Sequence, residues 1–242
     1  MVENGLVQKI RAEQGEPLIG VIGATRPSPE YRKATGMLVG SSLRKYLRWN
    51  PGVIFTGGVE GVGVDVYDGV AAFLEKRFLK SFNADKFFVL VPELVAQKAS
   101  VSDFLTGPVL TEYQPPKEYF DIAKKCGNEL EVVRAGKDMT ERREYVGRVA
   151  DVLVAVNGGF GTLDESYQAM KQGTPVISLW YSGGGARDLT LIKQGKLPEK
   201  EKAKLAKFGI NFEEVDRELI KAVDGHTDMI IALKAVLKNR KV

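Results

Sequence analysis

Val152-Leu153-Val154-Ala155-Val156-Asn157-Gly158-Gly159-Phe160-Gly161-Thr162-Leu163-Asp164-Glu165 begins as an apolar run of strand length and passes into glycines. A helical pattern follows through Met170. The stretch reads as a strand feeding a glycine-rich turn that opens a helix. Glycines let backbone amides come close to an anion. The first N–H groups of a helix and its partial positive charge favour phosphate. A phosphorylated ligand is therefore expected at Asn157, Gly158, Gly159, Phe160, Gly161 and Thr162.

Outward from this stretch the same rhythm repeats. Pro17 to Gly23, Val53 to Thr56, Lys86 to Val91, Leu130 to Val133 and Val176 to Leu179 are further short apolar runs. Helical patterns separate most of them, among them Pro29 to Trp49 and Val64 to Leu79. Near-continuously apolar strands that alternate with helices imply a parallel sheet covered on both faces. The expected fold is an α/β, Rossmann-like doubly wound sheet of about six or seven strands flanked by helices.

Glycines follow three of the strands: Gly23-Ala24-Thr25-Arg26, then Gly57-Gly58-Val59-Glu60-Gly61-Val62-Gly63, then the loop quoted first. Ligands bind outside the carboxyl ends of parallel strands, where all three turns should lie. Gly23, Gly57, Gly58 and Gly61 therefore join the expected nucleotide site. None of the turns fits a dinucleotide fingerprint or a P-loop.

Two regions break the rhythm. Pro92 to Pro116 has five prolines and glycines and no clear period, so it is expected to be mobile or to cover the ligand. Gly183 to Lys204 starts with three glycines, turns lysine-rich and reads as a flexible surface excursion. Phe212 to Val223 and Thr227 to Leu237 read as terminal amphipathic helices. With no linker and no repeat, one domain is expected over residues 1–242, with an inserted loop at about 92–116 and a helical extension at about 212–242.

Composition removes several function classes. At 242 residues the chain can bury a substantial core. One cysteine, Cys126, excludes an internal disulfide, and one histidine, His226, leaves little for a triad or a zinc site. No metal and no cofactor are expected. The start of the chain has no apolar signal core, and no run approaches the roughly 18 apolar residues of a membrane span. A cytoplasmic protein is expected. The net charge of +4 suits a phosphorylated ligand, whereas nucleic acid is not an expected partner: much of the excess lies in Lys234, Lys238, Arg240 and Lys241.

Two readings of the residues near the quoted stretch stay open. Thr162-x-x-Glu165 has the spacing of a capping box. Arg142 also reads as a solvated residue on a helix over Thr140 to Ala150.

Asp138-Met139-Thr140-Glu141-Arg142-Arg143, followed fifteen residues after Arg142 by Asn157-Gly158-Gly159-Phe160-Gly161-Thr162-Leu163-Asp164-Glu165, resembles the paired motifs of the LOG family, long described as "lysine decarboxylases". The family pattern is M-H-x-R-K followed by P-G-G-x-G-T-x-x-E. Thr140 stands at the motif histidine, Arg143 at the lysine and Asn157 at the proline. The resemblance covers roughly Pro17 to Leu179 and extends to the wider SLOG superfamily. It implies hydrolysis of a nucleoside 5′-monophosphate to free base and ribose 5-phosphate. It places the catalytic pair on Arg142 and Glu165, with Met139 and Arg143 orienting substrate and the glycine loop holding the 5′-phosphate. It also implies a homodimer or larger even oligomer. Other superfamily members only bind, so the alternative is a non-catalytic carrier or sensor of a molybdenum cofactor or a signalling nucleotide.

Overall fold

The computed structural model describes residues 2–14, 17–75, 87–96 and 110–239. Seven strands form one parallel sheet: β1 (Leu18–Gly23), β2 (Val53–Thr56), β3 (Phe87–Val91), β6 (Leu130–Arg134), β7 (Val152–Val156), β8 (Val176–Leu179) and β9 (Ile220–Val223), in the order β6-β3-β2-β1-β7-β8-β9. Two further short strands, β4 (Leu94–Ala96) and β5 (Leu110–Glu112), make a separate antiparallel pair. The fold is α/β and Rossmann-like, as the strand-helix alternation predicts.

Side chains alternate across a strand, so one apolar run feeds two cores. Ile19, Val21, Val152, Val154 and Val156 point to one face. They meet α2 (Lys33–Leu47), α3 (Val62–Glu75), α4 (Lys117–Lys125) and α9 (His226–Asn239) through Val39, Val66, Ile122 and Leu233. Leu18, Ile22, Leu153 and Ala155 point to the other face. There they meet α1 (Val2–Gln14), α5 (Met139–Val149), α6 (Phe160–Lys171) and α7 (Gly184–Lys193) through Ile10, Val146, Leu163 and Leu189.

The order places β1 beside β7, in register from Ile19↔Val152 to Gly23↔Val156. From β1 the chain proceeds to β2 and β3 on one side, and from β7 to β8 and β9 on the other. The connections leaving the carboxyl ends of β1 and β7 diverge. Such a reversal opens a crevice, and it is where ligands bind in this architecture.

Two expectations need correction, and one helix was not foreseen. Gly183 to Lys204 is not a loose excursion: it holds α7, with Ala186, Leu189 and Ile192 buried, and most of α8 (Glu199–Ala206). Phe212 to Val223 is not a helix. Two single 3-10 turns, capped by the Asn211 and Asp216 side chains, lead into β9, which completes the sheet. Helix α1 was not foreseen. It is tied down by Ile10 in the core and by Arg11, whose Nη1 reaches Asp151 Oδ1 at 3.1 Å.

Of the Pro92 to Pro116 insert, residues 97–109 lie outside the described residues. Its two ends form the β4–β5 pair, registered from Leu94↔Glu112 to Ala96↔Leu110. The backbone amides of Glu93 and Leu94 donate to the carbonyls of Gly136 and Lys137 at 2.9 Å each, so the stem stands at the carboxyl edge of the sheet.

Candidate active-site cleft at the β1–β7 crevice

The crevice holds a cleft of about 270 Å³. Gly23, Thr25 and Arg26 line it from the β1 loop, Gly57 and Val59 from the β2 loop, and Gly63 from α3. Met139, Arg142 and Arg143 come from α5, and Gly159, Gly161, Thr162 and Glu165 from the α6 start. The three glycine turns thus meet at one edge of the sheet.

Helix α5 presents its residues from a well-capped start. The Asp138 carboxylate accepts from the amides of Thr140 and Glu141 at 2.7 and 3.0 Å, and Glu141 accepts from the amide of Lys137 at 2.9 Å. An N-cap of this kind contributes about 1 kcal/mol and fixes where the first turn points. The turn puts Met139, Arg142 and Arg143 toward the cleft and leaves Thr140, at the motif histidine position, exposed.

Arg142 Nη2 and Glu165 Oε1 are 2.7 Å apart, with only 4% and 6% of the two side chains exposed. Burial pushes the Glu165 carboxyl above its ordinary value of 4.5. The Arg142 and then the Arg143 guanidinium pull it back, and Asp164 beside it pushes it up. Arg143 pairs with Asp164 at 3.2 Å and lies over the Phe160 ring. Arg142 is therefore no solvated surface residue.

The capping-box reading of Thr162 and Glu165 is also set aside. Helix α6 starts earlier, with Gly159 at the N-cap and no side-chain cap. Thr162 and Glu165 sit inside the helix, both buried. Thr162 Oγ1 has no hydrogen-bond partner, nor have Arg142 Nε and Nη1 or Arg143 Nε. Buried polar groups are normally satisfied, and a cluster of exceptions at one cleft asks for a ligand rich in acceptors. The first turn of α6 adds amides that no helix can satisfy internally.

Gly57 and Gly158 are among the glycines required by contact. At Gly57 a Cβ would overlap Arg142 Nη1, so the missing side chain is the space the guanidinium fills. Gly158 has φ +101°, and a Cβ there would collide with the Thr162 side chain.

Other expected residues shape the site from behind. Gly58, Gly61, Gly158 and Phe160 do not line the cleft; Phe160 packs on Phe208, ring centroids 4.6 Å apart. Asn157 is fully buried at φ 55°, and its amide nitrogen donates to Ser28 Oγ at 2.7 Å and to the Ser182 carbonyl at 2.6 Å. His226 begins α9 and Cys126 ends α4, and neither lines the cleft. Reading the sequence missed Thr25, Arg26, Val59 and Gly63 as lining residues. Their signal was there, since they sit within or beside the two glycine turns already singled out.

Among the described residues no group of His, Cys, Asp or Glu side chains is gathered as a metal site would need, and no helix is long and apolar enough to cross a membrane.

No family model and no curated protein sequence matches the chain. Solved structures do. That of TM1055 aligns with TM-score 0.56 and 19% identity over 91% of this chain and 99% of its own. The molybdenum cofactor binding protein of the phototrophic bacterium Rippkaea orientalis aligns with TM-score 0.52 and 16% identity, over 92% and 98%. DNA processing protein A of Helicobacter pylori, whose structure concerns single-stranded DNA binding, aligns with TM-score 0.52 and 14% identity, over 96% and 83%. At these identities the likeness is one of fold, and the fold shared is the Rossmann-like parallel sheet with its crevice.

Proposed function

We propose that this cleft hydrolyses the N-glycosidic bond of a nucleoside 5′-monophosphate, releasing free base and ribose 5-phosphate, and that the chain is a LOG-type protein. The observation that carries the reading is the buried Arg142–Glu165 pair, set in a cleft where Arg142 Nε and Nη1, Arg143 Nε and Thr162 Oγ1 have no partner. In this reading the 5′-phosphate lies at the α6 start, accepting from the first amides, Thr162 Oγ1 and Arg143 Nε. The ribose then lies along Glu165. As the glycosidic bond breaks, its electron pair leaves with the base, which takes up a proton from solvent, and positive charge develops on the ribose; the proton that water gives to Glu165 returns to solvent, so one water is consumed overall. The Glu165 carboxylate stabilises that charge and takes the proton of the water that adds to the anomeric carbon. Arg142 orients the sugar through its unused N–H groups and keeps enough of Glu165 ionised to act.

The test is incubation with a panel of nucleoside 5′-monophosphates, reading free base by chromatography. Tight binding with no base released from any member would replace this reading by a non-catalytic carrier or sensor of a phosphorylated ligand.

The pH dependence follows from the site. A carboxylate base acts when ionised, so kcat/KM rises with pH through the Glu165 titration. Burial places that limb above 4.5, the ordinary value. A pH–rate profile whose acid limb falls at or below that value would assign the base elsewhere. The resemblance also implies a homodimer or larger even oligomer. Light scattering should give an even multiple of the 26.6 kDa chain mass, and a monomer at all concentrations would remove this part of the proposal.

A further inference from the structure

The β4–β5 stem does more than stand at the carboxyl edge of the sheet. Tyr113 follows β5 at the foot of the hairpin, and its hydroxyl donates to the Gly58 carbonyl at 2.8 Å. Tyr119, from α4, donates to the next carbonyl, that of Val59, also at 2.8 Å, and shares a hydrogen bond with Thr56 Oγ1 at 3.1 Å. Two consecutive carbonyls of the β2 loop are thus each held by a phenol. The residue just before them, Gly57, is the one against which Arg142 Nη1 rests.

The hairpin foot is itself fixed to the elements around Arg142. Tyr113 N donates to the Glu93 carbonyl at 3.0 Å. Arg134 Nη1 donates to the Tyr113 carbonyl at 3.0 Å, and Arg134 also pairs with Glu112. On its other side the stem is bonded to Gly136 and Lys137, directly ahead of α5. The half-buried Tyr113 phenol is raised in pKa by burial and pulled back by the charge of Arg142.

We propose that Tyr113 is a positioning residue for Arg142: by holding the Gly58 carbonyl it keeps Gly57 against the guanidinium and so sets the Arg142–Glu165 pair. The hydroxyl touches no reacting atom. It acts through the β2 loop, which joins the β4–β5 stem to the candidate catalytic pair. A link of this kind is a short chain of packed and hydrogen-bonded groups. The loss of nucleotide affinity rests on the proposed function; the electrostatic consequence does not.

The experiment reads Glu165 directly. Glutamate labelled with 13C at the carboxyl carbon is incorporated, the Glu165 signal is assigned by its loss in Glu165→Gln, and its titration is followed by NMR. Glu165 is faced by Arg142 and Arg143 from α5 and by Asp164 from its own helix, and of these Arg142 lowers its pKa most. Loosening Arg142 therefore raises the midpoint. Tyr113→Phe, which keeps the ring, should move it up by about half a pH unit, a fraction of what a full opposite charge does. Tyr113→Ala should move it at least as far. Affinity for adenosine 5′-monophosphate, measured by calorimetry, should fall by about threefold or more in both. A merely structural role lowers the unfolding temperature and leaves the midpoint where it is, so unmoved midpoints in both folded variants overturn the proposal. Failure of the wild type to release base would sink the hydrolase reading and leave this result standing.

Discussion

Glu165→Gln is expected to cut release of base from nucleoside 5′-monophosphates by roughly 10²–10⁴-fold, the scale set by losing one positioned acid or base. The amide keeps the shape of the carboxylate and can still accept from Arg142, so the geometry of the pair survives. The charge that stabilises the ribose and takes the proton from water does not. Nucleotide binding should persist, because the α6 start, Thr162 and Arg143 are untouched. The variant also carries a second expectation. Arg142 becomes a buried cation without its carboxylate, an arrangement that destabilises by about 3–5 kcal/mol when nothing compensates. A bound phosphate supplies a compensating charge. Nucleotide should therefore raise the unfolding temperature of Glu165→Gln more than that of the wild type. Turnover at the wild-type rate would remove Glu165 from the chemistry and return it to a structural role.

The parts of this site that reading the sequence finds are those whose cause is local. Val152–Val156 is apolar throughout because both faces of the sheet are covered there. The glycine turns are visible because close approach and positive φ exclude side chains. Arg142 and Glu165 were a different case. Spacing alone allowed a solvated arginine and a capping glutamate, and only the resemblance of the motif pair set them together. The capping reading failed on a helix boundary: α6 starts at Phe160, which carries Thr162 past the position where a hydroxyl caps. The cap that does exist, Asp138 with Glu141, lay one motif upstream and went unread. Tyr113 and Asp164 were missed because their roles come from partners far along the chain or one helix away, Gly58 and Arg143. Strand β9 was missed because four residues, two of them buried, carry too little pattern to tell a strand from a helix end.

Asn157 stands where the LOG pattern has proline, and its role follows from its bonds. Its amide nitrogen donates to Ser28 Oγ and to the Ser182 carbonyl, its amide oxygen accepts from the Ser28 backbone N–H at 3.1 Å, and its own backbone N–H donates to Ser182 Oγ at 2.6 Å. The residue is fully buried, so water cannot replace a lost partner. One side chain thus joins the connections leaving β1, β7 and β8 just behind the cleft. Asn157→Ala removes three side-chain hydrogen bonds at about 1 kcal/mol each and leaves the buried Ser182 carbonyl and the half-buried Ser28 without this partner. Alanine at φ 55° also keeps the Cβ strain, about 1–2 kcal/mol, that asparagine already carries there. The expected loss is about 3–5 kcal/mol, or about 10 °C in unfolding temperature for a chain of this size. Asn157→Gly separates the two causes: it relieves the backbone strain, loses the same bonds and should be more stable than the alanine variant by about 1 kcal/mol. Ser28 lies two residues after Arg26, so freeing it loosens the wall of the cleft that Thr25 and Arg26 form. Nucleotide affinity should therefore fall in both variants even where they remain folded. Denaturant unfolding gives the stabilities and calorimetry the affinities. An alanine variant within about 1 kcal/mol of the wild type would mean that the three connections hold together without this side chain.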